Sequence, residues 1–437
     1  MQRLPIATAK RSVGGTVRIC GFIETVRKHK RMEFLVVGDR SGRIQVAREI
    51  PAEEATGTVH VRTCAPGDAV DITGRVVANS TVALDGLELV PDSIAVAGPA
   101  QHGLPINEMS GREALLDWRY LALREPRNRL VFEIATAVEH AMRMHWHEQD
   151  FLELHSPKLM HSASESGAET FSLEYFHLGH AYLAQSPQFY KQMAIAAGFE
   201  RVFEIGPVFR AEASFTSRHA TEFTSVDVEL AWIESHEDVM AWEERWIAFV
   251  LQQLHGQYAE AVQREFNTAI RVPSLPFPRL TMEEAHRVLS QRKYVMAANT
   301  RRGDIDPGGL HELAQYVEET YGSEFYFLTG YPGSLRPFYH MRSSEEPHLT
   351  NSFDLMWKGI EITTGAQREH RYAVLQEQAK KAGLSHSVQY YLDFFKYGCP
   401  PHGGFGLGFA RFVMCLLQLD NIREATFLFR GPRRLTP

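Results

Sequence analysis

The chain has 437 residues, of which 44% are hydrophobic and 23% charged, and a net charge of −7. This composition excludes a collagen-like repeat, long disorder and a disulfide scaffold, and the acidic balance argues against a uniformly basic nucleic-acid-binding surface. No apolar run reaches the roughly 18 residues of a membrane span and the start lacks an apolar signal stretch, so we expect a cytoplasmic protein of two or three domains without membrane contact.

The first hundred residues show short alternating apolar runs separated by Gly, Asp and Pro, which is an all-β pattern. About five short strands in this length predict a small closed barrel over residues 1–97, of the oligonucleotide-binding OB type, with an SH3-like barrel as the alternative. A basic cluster at Arg27, Lys28, Lys30 and Arg31 suits an RNA-binding turn, although a solvated hairpin tip would look the same.

Residues 98–127 are irregular and contain Gly and Pro, which indicates a linker or hinge. The remaining residues, 128–437, predict an α+β domain around an antiparallel sheet. Apolar spacing predicts helices over residues 128–147, 242–254 and 411–419, and strands over 151–154, 201–209, 222–230 and 358–365.

Two of these strands, 201–209 and 222–230, are expected to pair antiparallel. Alternation along the second places Phe223, Asp227 and Glu229 on one face. A solvent-facing strand surface would give the same pattern, but further charged side chains come from the end of the first strand and the intervening loop. These are Arg210, Glu212, Arg218 and His219.

Four glycines, Gly403, Gly404, Gly406 and Gly408, precede the last helix, and Arg411 follows them. Such glycines allow a backbone to approach a nucleotide closely, or they allow close helix packing. A dinucleotide-binding βαβ fold is excluded, because too few residues follow Gly408 to complete it.

Two further constellations suggest ligand binding. Ser186 and Pro187 predict a helix start that brings Gln188 and Lys191 onto one face, suited to a carboxylate, although an exposed lysine is the ordinary alternative. Glu361 and Thr364 are suited to Mg²⁺ whose shell is completed by phosphate oxygens.

Three segments in order, FLELHSPKLMHSASESGAETF, FRAEASFTSRHATEFTSVDVE and GGFGLGFAR, resemble the three motifs of class II aminoacyl-tRNA synthetases. The resemblance is closest to the aspartyl-tRNA synthetases of the short archaeal type and spans nearly the whole chain. It implies an OB barrel that reads the anticodon, a class II catalytic domain on an antiparallel sheet, and a homodimer formed through the first motif. The implied activity joins L-aspartate to tRNA(Asp) with ATP and Mg²⁺.

The resemblance also implies roles for individual residues, Arg210 and Arg411 being the catalytic ones. ATP would be bound by Arg210, Glu212, Arg218, His219, Phe223, Glu361, Gly406, Gly408 and Arg411, and Mg²⁺ by Glu361 and Thr364. Aspartate would be bound by Glu165, Gln188, Lys191, Asp227 and Arg368. Anticodon bases would contact Phe34, Gln45 and Glu88.

The sequence departs from the family pattern at Ala410, where relatives usually carry Glu, and at Gly431, where Asp is common. Rival interpretations are an asparaginyl-tRNA synthetase, a tRNA-independent asparagine synthetase and a non-catalytic RNA-binding paralogue. Lys191 argues against the first, because a neutral amide has no use for that cation. Glu24 stands where discriminating archaeal relatives tend to carry Trp, so the sequence favours an enzyme that also charges tRNA(Asn) over a discriminating one.

Overall fold

The computed structural model describes residues 1–29, 31–50, 64–101, 103–162, 170–213, 216–384 and 387–437. The chain divides into two compact units, one of residues 1–129 with Pro437 and one of residues 130–436. Within the described residues, no helix is both long and apolar enough to cross a bilayer.

The first unit contains a closed five-stranded barrel, which confirms the OB-type prediction. Its strands close in the order β1-β2-β3-β5-β4, and alternate side chains such as Ile19, Leu35 and Ile72 fill the interior completely shielded from solvent. The elements of this unit are α1 (Ile6–Ala9), β1 (Thr16–His29), β2 (Met32–Asp39), β3 (Gly42–Glu49), β4 (Ala69–Ala78), β5 (Leu87–Gly98), α2 (Arg112–Asp117) and α3 (Arg119–Ala122).

The second unit is built on an eight-stranded sheet with the order β12-β13-β14-β15-β16-β11-β10-β6. Its strands are β6 (Leu152–Glu153), β10 (Arg201–Phe209), β11 (Glu222–Ala231), β12 (Arg279–Thr281), β13 (Phe325–Thr329), β14 (Ser352–Trp357), β15 (Ile360–Gln367) and β16 (His402–Gly408). The pairs inside the sheet are antiparallel as expected, but the edge strands β6 and β12 pair parallel to their neighbours. The sheet is therefore mixed. A small separate sheet has the order β7-β9-β8 and contains β7 (Leu159–Met160), β8 (Ser172–Glu174) and β9 (His180–Leu183).

Helices cover the large sheet. They are α4 (Pro126–Glu148), α5 (Gln188–Ala196), α6 (His236–Phe266), α7 (Met282–Gln291), α8 (Pro307–Tyr321), α9 (Tyr372–Lys381), α10 (Gln389–Leu392) and α11 (Phe409–Leu417). The helix predicted over 242–254 is one part of the much longer α6, whose polar first turn is stabilised by a capping box at Ser235 and Asp238. Its end at Asn267 adopts the left-handed conformation of a helix terminus.

The structure differs from two local predictions. Helix α5 begins at Gln188 with Pro187 in the capping position, and Ser186 Oγ accepts only a long bond, 3.4 Å, from the Gln188 amide. The glycine-rich segment before the last helix is itself a central strand, β16. A Cβ on Gly404 would lie 2.0 Å from the Val228 carbonyl oxygen, so glycine is required there by the close approach of β11.

Candidate active site

The candidate residues of the second unit lie on the neighbouring strands β15, β16 and β11, on the segments that follow β10 and β15, and on the helices α5 and α11. Pairing places Asp227 opposite Gly406, and Gly406 opposite Thr364, so that three strands contribute to one row. A Cβ on Gly406 would lie 3.2 Å from Asp227 Oδ1, closer than side chains normally pack. The missing side chain leaves this row open.

A buried ionic cluster lies at one end of the row. Lys191 Nζ is 2.9 Å from Asp227 Oδ1 and 3.3 Å from Glu229 Oε2, and Arg368 Nε is 2.9 Å from Glu229 Oε1. None of these four side chains is more than 5% exposed. The alternatives of an exposed lysine and of a solvent-facing strand surface are therefore wrong.

Glu229 links the two cations of this cluster. Burial alone would raise the pKa of its carboxyl, but Arg368 and Lys191 outweigh that effect and hold the pKa below its ordinary value. Sequence reasoning placed Glu229 beside Asp227 on the strand but gave it no role. Its alternation with Asp227 was the available signal, whereas its pairing with Arg368 joins residues 139 positions apart.

Arg368 is further held by groups that the sequence did not suggest. Its guanidinium donates to the Gly404 carbonyl at 2.9 Å and lies 3.1 Å from His340 Nε2. Burial, assisted by the charge of Arg368, holds the pKa of His340 well below its usual range, so the imidazole is neutral and accepts from the guanidinium. The cation is thus fixed in one orientation.

Lys191 is equally constrained, because its ammonium also lies 3.3 Å from the carbonyl oxygens of Val228 and Phe405. Beside it on helix α5, Gln188 Nε2 donates to Gln192 Oε1 at 3.0 Å. Gln192 in turn contacts Tyr391 and His402. This polar network was not predicted, because it joins α5 to residues about 200 positions later.

A second group of charged side chains, called here the open end of the site, follows β10 and occupies the loop before β11. The Arg210 guanidinium is centred 5.5 Å from the ring of Phe223 and lies 3.8 Å from Glu212 Oε1. His219 Nε2 is 4.0 Å from Glu212 Oε2, and His219 Nδ1 is bonded to the Thr216 hydroxyl. Burial lowers the pKa of His219, and the positive charges of Arg411, Arg210 and Arg218 lower it further, against the opposing effect of Glu212. These charged groups therefore lie close enough together to act on one another's charge.

Arg411 links this charged group to β15. Its guanidinium donates to the Glu361 carbonyl at 2.8 Å and lies 3.5 Å from the Glu361 carboxylate. Ala410, where the sequence departs from the expected family pattern, is buried in the apolar core. Within the described residues, Glu361 contacts Arg411. Gly408 has ordinary space around it, its nearest atom being the Arg411 Cβ at 3.6 Å.

Glu361 and Thr364 fit a magnesium ion by their chemistry. The Thr364 hydroxyl donates to Glu361 Oε1 at 3.3 Å, which places two hard oxygen donors together. Asp354 adds a second negative charge near Glu361, and a bound cation would offset the repulsion between the two carboxylates. Among the described residues no group of three His, Cys, Asp or Glu forms a metal cage, so phosphate and water would have to complete the shell.

In the barrel, the three predicted anticodon residues share the outer face. Phe34 alternates with the interior Leu35, and Gln45 pairs in register with Glu88 across β3 and β5. Gln45 Nε2 donates to Glu88 Oε2 at 3.0 Å, and Asn79 Nδ2 donates to the other oxygen at 3.0 Å. The outer face of the barrel thus carries the aromatic ring of Phe34 and the hydrogen-bonded pair of Gln45 and Glu88.

The structure brings together the predicted residues of the second unit that it describes. Glu165 lies outside the described residues, as does Lys30 of the basic cluster. Arg27, Lys28 and Arg31 are exposed at the tip of the β1–β2 hairpin. The buried partners Glu229, His340, Gln192 and His402 are the additions that sequence reasoning missed as site residues.

Comparisons with known proteins define the class. Residues 111–430 match the family model of class II tRNA synthetases (D, K and N). The aspartate–tRNA(Asp/Asn) ligase of Aeropyrum pernix is 39% identical, with coverage of 99% of this chain and 98% of the relative. The aspartate–tRNA(Asp) ligase of Pyrococcus abyssi is 38% identical over 97% of each. The chain therefore belongs to the class II tRNA synthetases.

Solved structures agree with this class. The asparaginyl-tRNA synthetase of Pyrococcus horikoshii, complexed with asparaginyl-adenylate, has a TM-score of 0.88 at 28% identity over 100% of both chains. The aspartyl-tRNA synthetase of Entamoeba histolytica has a TM-score of 0.86 at 28% identity, covering 100% of this chain and 93% of that one. The asparaginyl and aspartyl enzymes thus share the architecture, so the choice of amino acid depends on the residues of the binding pocket.

Proposed function

We propose that this chain is an aspartate–tRNA ligase that activates L-aspartate with ATP and charges both tRNA(Asp) and tRNA(Asn). The observation that carries the choice of amino acid is the buried cluster of Lys191, Arg368 and Glu229. Two oriented cations favour a carboxylate side chain, whereas a neutral amide would gain little from them. The near-full-length relatives named as aspartate ligases support the same choice.

The reaction needs no protein nucleophile. The α-carboxylate of aspartate attacks the α-phosphorus of ATP, which forms aspartyl adenylate and releases pyrophosphate. The 3′-hydroxyl of the terminal ribose of tRNA then attacks the acyl carbon and releases AMP. The protein contributes by holding the reactants in line and by facing cations towards developing phosphate charge.

Each cation of the open end has a place in this scheme. Arg210 contacts the α-phosphate, and Arg218 and His219 contact the outer phosphates. Phe223 and Arg411 stack on the two faces of the adenine, as a ring and a planar guanidinium can. Glu212 accepts hydrogen bonds on the adenine side. Gly406 and Gly408 have no side chains and so leave room for the nucleotide.

Glu361 and Thr364 would hold Mg²⁺, which neutralises phosphate charge when it is bound. In the aspartate pocket, Asp227 faces the substrate ammonium, while Lys191 and Arg368 face the side-chain carboxylate. The family resemblance assigns Glu165 to the ammonium as well. Gln188 completes this pocket.

The barrel domain, residues 1–97, reads the anticodon, residues 98–127 connect it, and residues 128–437 form the catalytic domain. Phe34 stacks on a base while Gln45 and Glu88 provide hydrogen bonds, as single-stranded recognition requires. Charging of tRNA(Asn) is supported by Glu24, whose carboxylate is 2.7 Å from Arg43 Nε. A carboxylate held in this way offers no flat ring that would select one anticodon base.

Dimerisation is supported by exposed apolar side chains in and after the first motif. Leu152 and Leu159 are 45% and 46% exposed, and Phe176 and Leu178 are 86% and 68% exposed. Burial of such side chains against a second copy would remove apolar surface from water. We place the enzyme in the cytoplasm with its tRNA substrates.

The amino acid is tested by ATP–pyrophosphate exchange with aspartate and with asparagine. We expect aspartate to be preferred by a factor on the order of 10² or more, because asparagine places a neutral amide where Lys191 and Arg368 would otherwise face a carboxylate. Preference for asparagine would identify an asparaginyl-tRNA synthetase. Absence of exchange with either would point to an RNA-binding paralogue, and asparagine made without tRNA to an asparagine synthetase.

The tRNA range is tested by charging each purified tRNA with labelled aspartate. We expect product on both tRNAs, and no product on tRNA(Asn) would make the enzyme a discriminating one. In the variant Glu24→Trp, charging of tRNA(Asn) should fall while charging of tRNA(Asp) serves as the internal control. An equal effect on both would remove Glu24 from the argument.

A further inference from the structure

We propose that Gln192 and His402 are positioning residues that fix the side-chain amide of Gln188 with its oxygen towards the substrate. Gln188 then accepts a hydrogen bond from the substrate ammonium and does not donate to a carboxylate. The inference rests on the proposed function for the identity of the substrate. Each group in a chain of hydrogen bonds, which begins at a backbone carbonyl, is thereby assigned as donor or acceptor.

The chain starts at Pro400, whose carbonyl oxygen is 2.8 Å from His402 Nδ1. A carbonyl can only accept, so Nδ1 must carry a hydrogen. Cys399 Sγ lies 3.7 Å from the same nitrogen, but a thiol donating there would leave the carbonyl facing a lone pair. Burial lowers the pKa of His402 to about 4, so the ring holds one hydrogen and its Nε2 is an acceptor.

The protonation of the His402 ring then determines the orientation of the Gln192 amide. Its Nε2 is 2.9 Å from His402 Nε2, and an acceptor at that place requires the amide nitrogen and not the oxygen. Gln192 Oε1 therefore points the other way, where it accepts from the Tyr391 hydroxyl at 2.9 Å and from Gln188 Nε2 at 3.0 Å. Burial raises the pKa of Tyr391 well above its usual range, so the hydroxyl keeps its hydrogen and donates.

Gln188 receives its orientation from this chain. Its nitrogen is committed to Gln192, and within the described residues its Oε1 accepts no hydrogen bond from the protein. Gln188 lies one helical turn before Lys191 on the same face of the helix and is 5% exposed, so an oxygen without a protein donor there is available to a ligand bound beside Lys191. An amide oxygen attracts an ammonium and repels a carboxylate, which makes Gln188 a partner of Asp227 in holding the amino group.

The test uses the variant Gln192→Met, which keeps the length of the side chain but removes both its donor and its acceptor. Aspartate KM in ATP–pyrophosphate exchange is compared with the inhibition constant of succinate, which is aspartate without its amino group. We expect the aspartate KM to rise about tenfold and the succinate constant to change less than twofold, because only aspartate loses a charge-assisted bond. The KM for ATP should stay unchanged.

Gln315→Met is the matched control, because Gln315 also bonds a histidine, His311 at 3.2 Å, but on an exposed helix face. If Gln192→Met does not fold, His402→Phe decides, since it leaves Gln192 in place but removes the acceptor that directs it. We expect the same split between aspartate and succinate, severalfold in size.

Equal weakening of aspartate and succinate would overturn the inference, and so would an unchanged aspartate KM in a folded variant. Wild-type protein that does not activate aspartate would instead refute the proposed function and this inference with it. Wild-type activation of aspartate combined with no split in the variants refutes the chain of positioning residues alone.

Discussion

The two ends of the candidate active site differ in how completely their charges are paired. At the end that we propose binds aspartate, Lys191, Arg368 and Glu229 are at most 2% exposed, and each cation is paired with Glu229. At the end that we propose binds the phosphates of ATP, the side chains of Arg210 and Glu361 are 43% and 44% exposed. The charges of the first end are already paired with one another in the folded chain. Those of the second end are partly exposed and can pair with a highly charged ligand. Specificity and catalysis are therefore expected to respond differently to mutation.

Removing a cation from the paired end should have the largest effect. Arg368→Met leaves the fully buried Glu229 with Lys191 as its remaining partner and deprives the substrate carboxylate of a donor. We expect loss of aspartate activation by about 10³ or more, and a loss of roughly 3–5 kcal/mol in the free energy of unfolding. Exchange kinetics and chemical denaturation measure the two effects.

Arg371→Met provides the matched control for this variant. Arg371 is also paired with a buried carboxylate, that of Glu369 at 2.7 Å, but its own side chain is 55% exposed. A partner that water can replace should cost about 1 kcal/mol or less. Similar losses for the two arginines would contradict the view that the paired end depends on burial.

A change at the open end should affect the reaction and spare the fold. Arg210→Ala removes a half-exposed guanidinium whose nearest acid, Glu212, is 3.8 Å away, so little folded-state interaction is lost. We expect adenylate formation to fall by about 10² or more, with the melting temperature nearly unchanged. Arg264→Ala, which removes a 67% exposed arginine on helix α6, should leave both unchanged. An unaltered exchange rate in Arg210→Ala would reject its role at the α-phosphate.

The sequence was informative where a pattern is local. Alternation predicted the strands 201–209 and 222–230 and the interior of the barrel, because period-two burial needs no knowledge of distant residues. Class II motifs then directed attention to Arg210, Asp227 and Arg411. In the folded chain, Arg210 directly follows β10, Asp227 lies on the neighbouring β11, and Arg411 lies on the helix that follows the next strand, β16.

What the sequence did not provide depends on distant residues. The strand β16 was missed because glycine disfavours strands locally, and only the approach of Val228 and Glu229 explains Gly404. The network of Gln192 and His402 joins residues 210 positions apart. Tertiary packing, which no local pattern records, decides which polar side chains become buried and paired.

A second buried carboxylate sharpens the contrast with Glu229. Glu243 on helix α6 is also fully buried, yet neither oxygen has a hydrogen-bond partner within the described residues. Burial, assisted by the charges of Asp354 and Glu244, raises the pKa of Glu243 to about 8. The folded protein therefore keeps a proton that the unfolded chain releases above its ordinary pKa of 4.5.

Because the folded pKa is the higher one, this residue favours folding at low pH, and its contribution is lost as the pH rises towards 8. Glu243→Gln has no such titration. We expect its free energy of unfolding to gain on that of the wild type by up to roughly 1.4 kcal/mol per pH unit between pH 5 and 8. Glu260→Gln is the control, since Glu260 is an exposed carboxylate on the same helix and is not among the charges that act on Glu243. Denaturation curves across this range that keep a constant difference between Glu243→Gln and wild type would show that Glu243 is ionised in the folded protein, and that a buried carboxylate here does not need the two cations that hold Glu229.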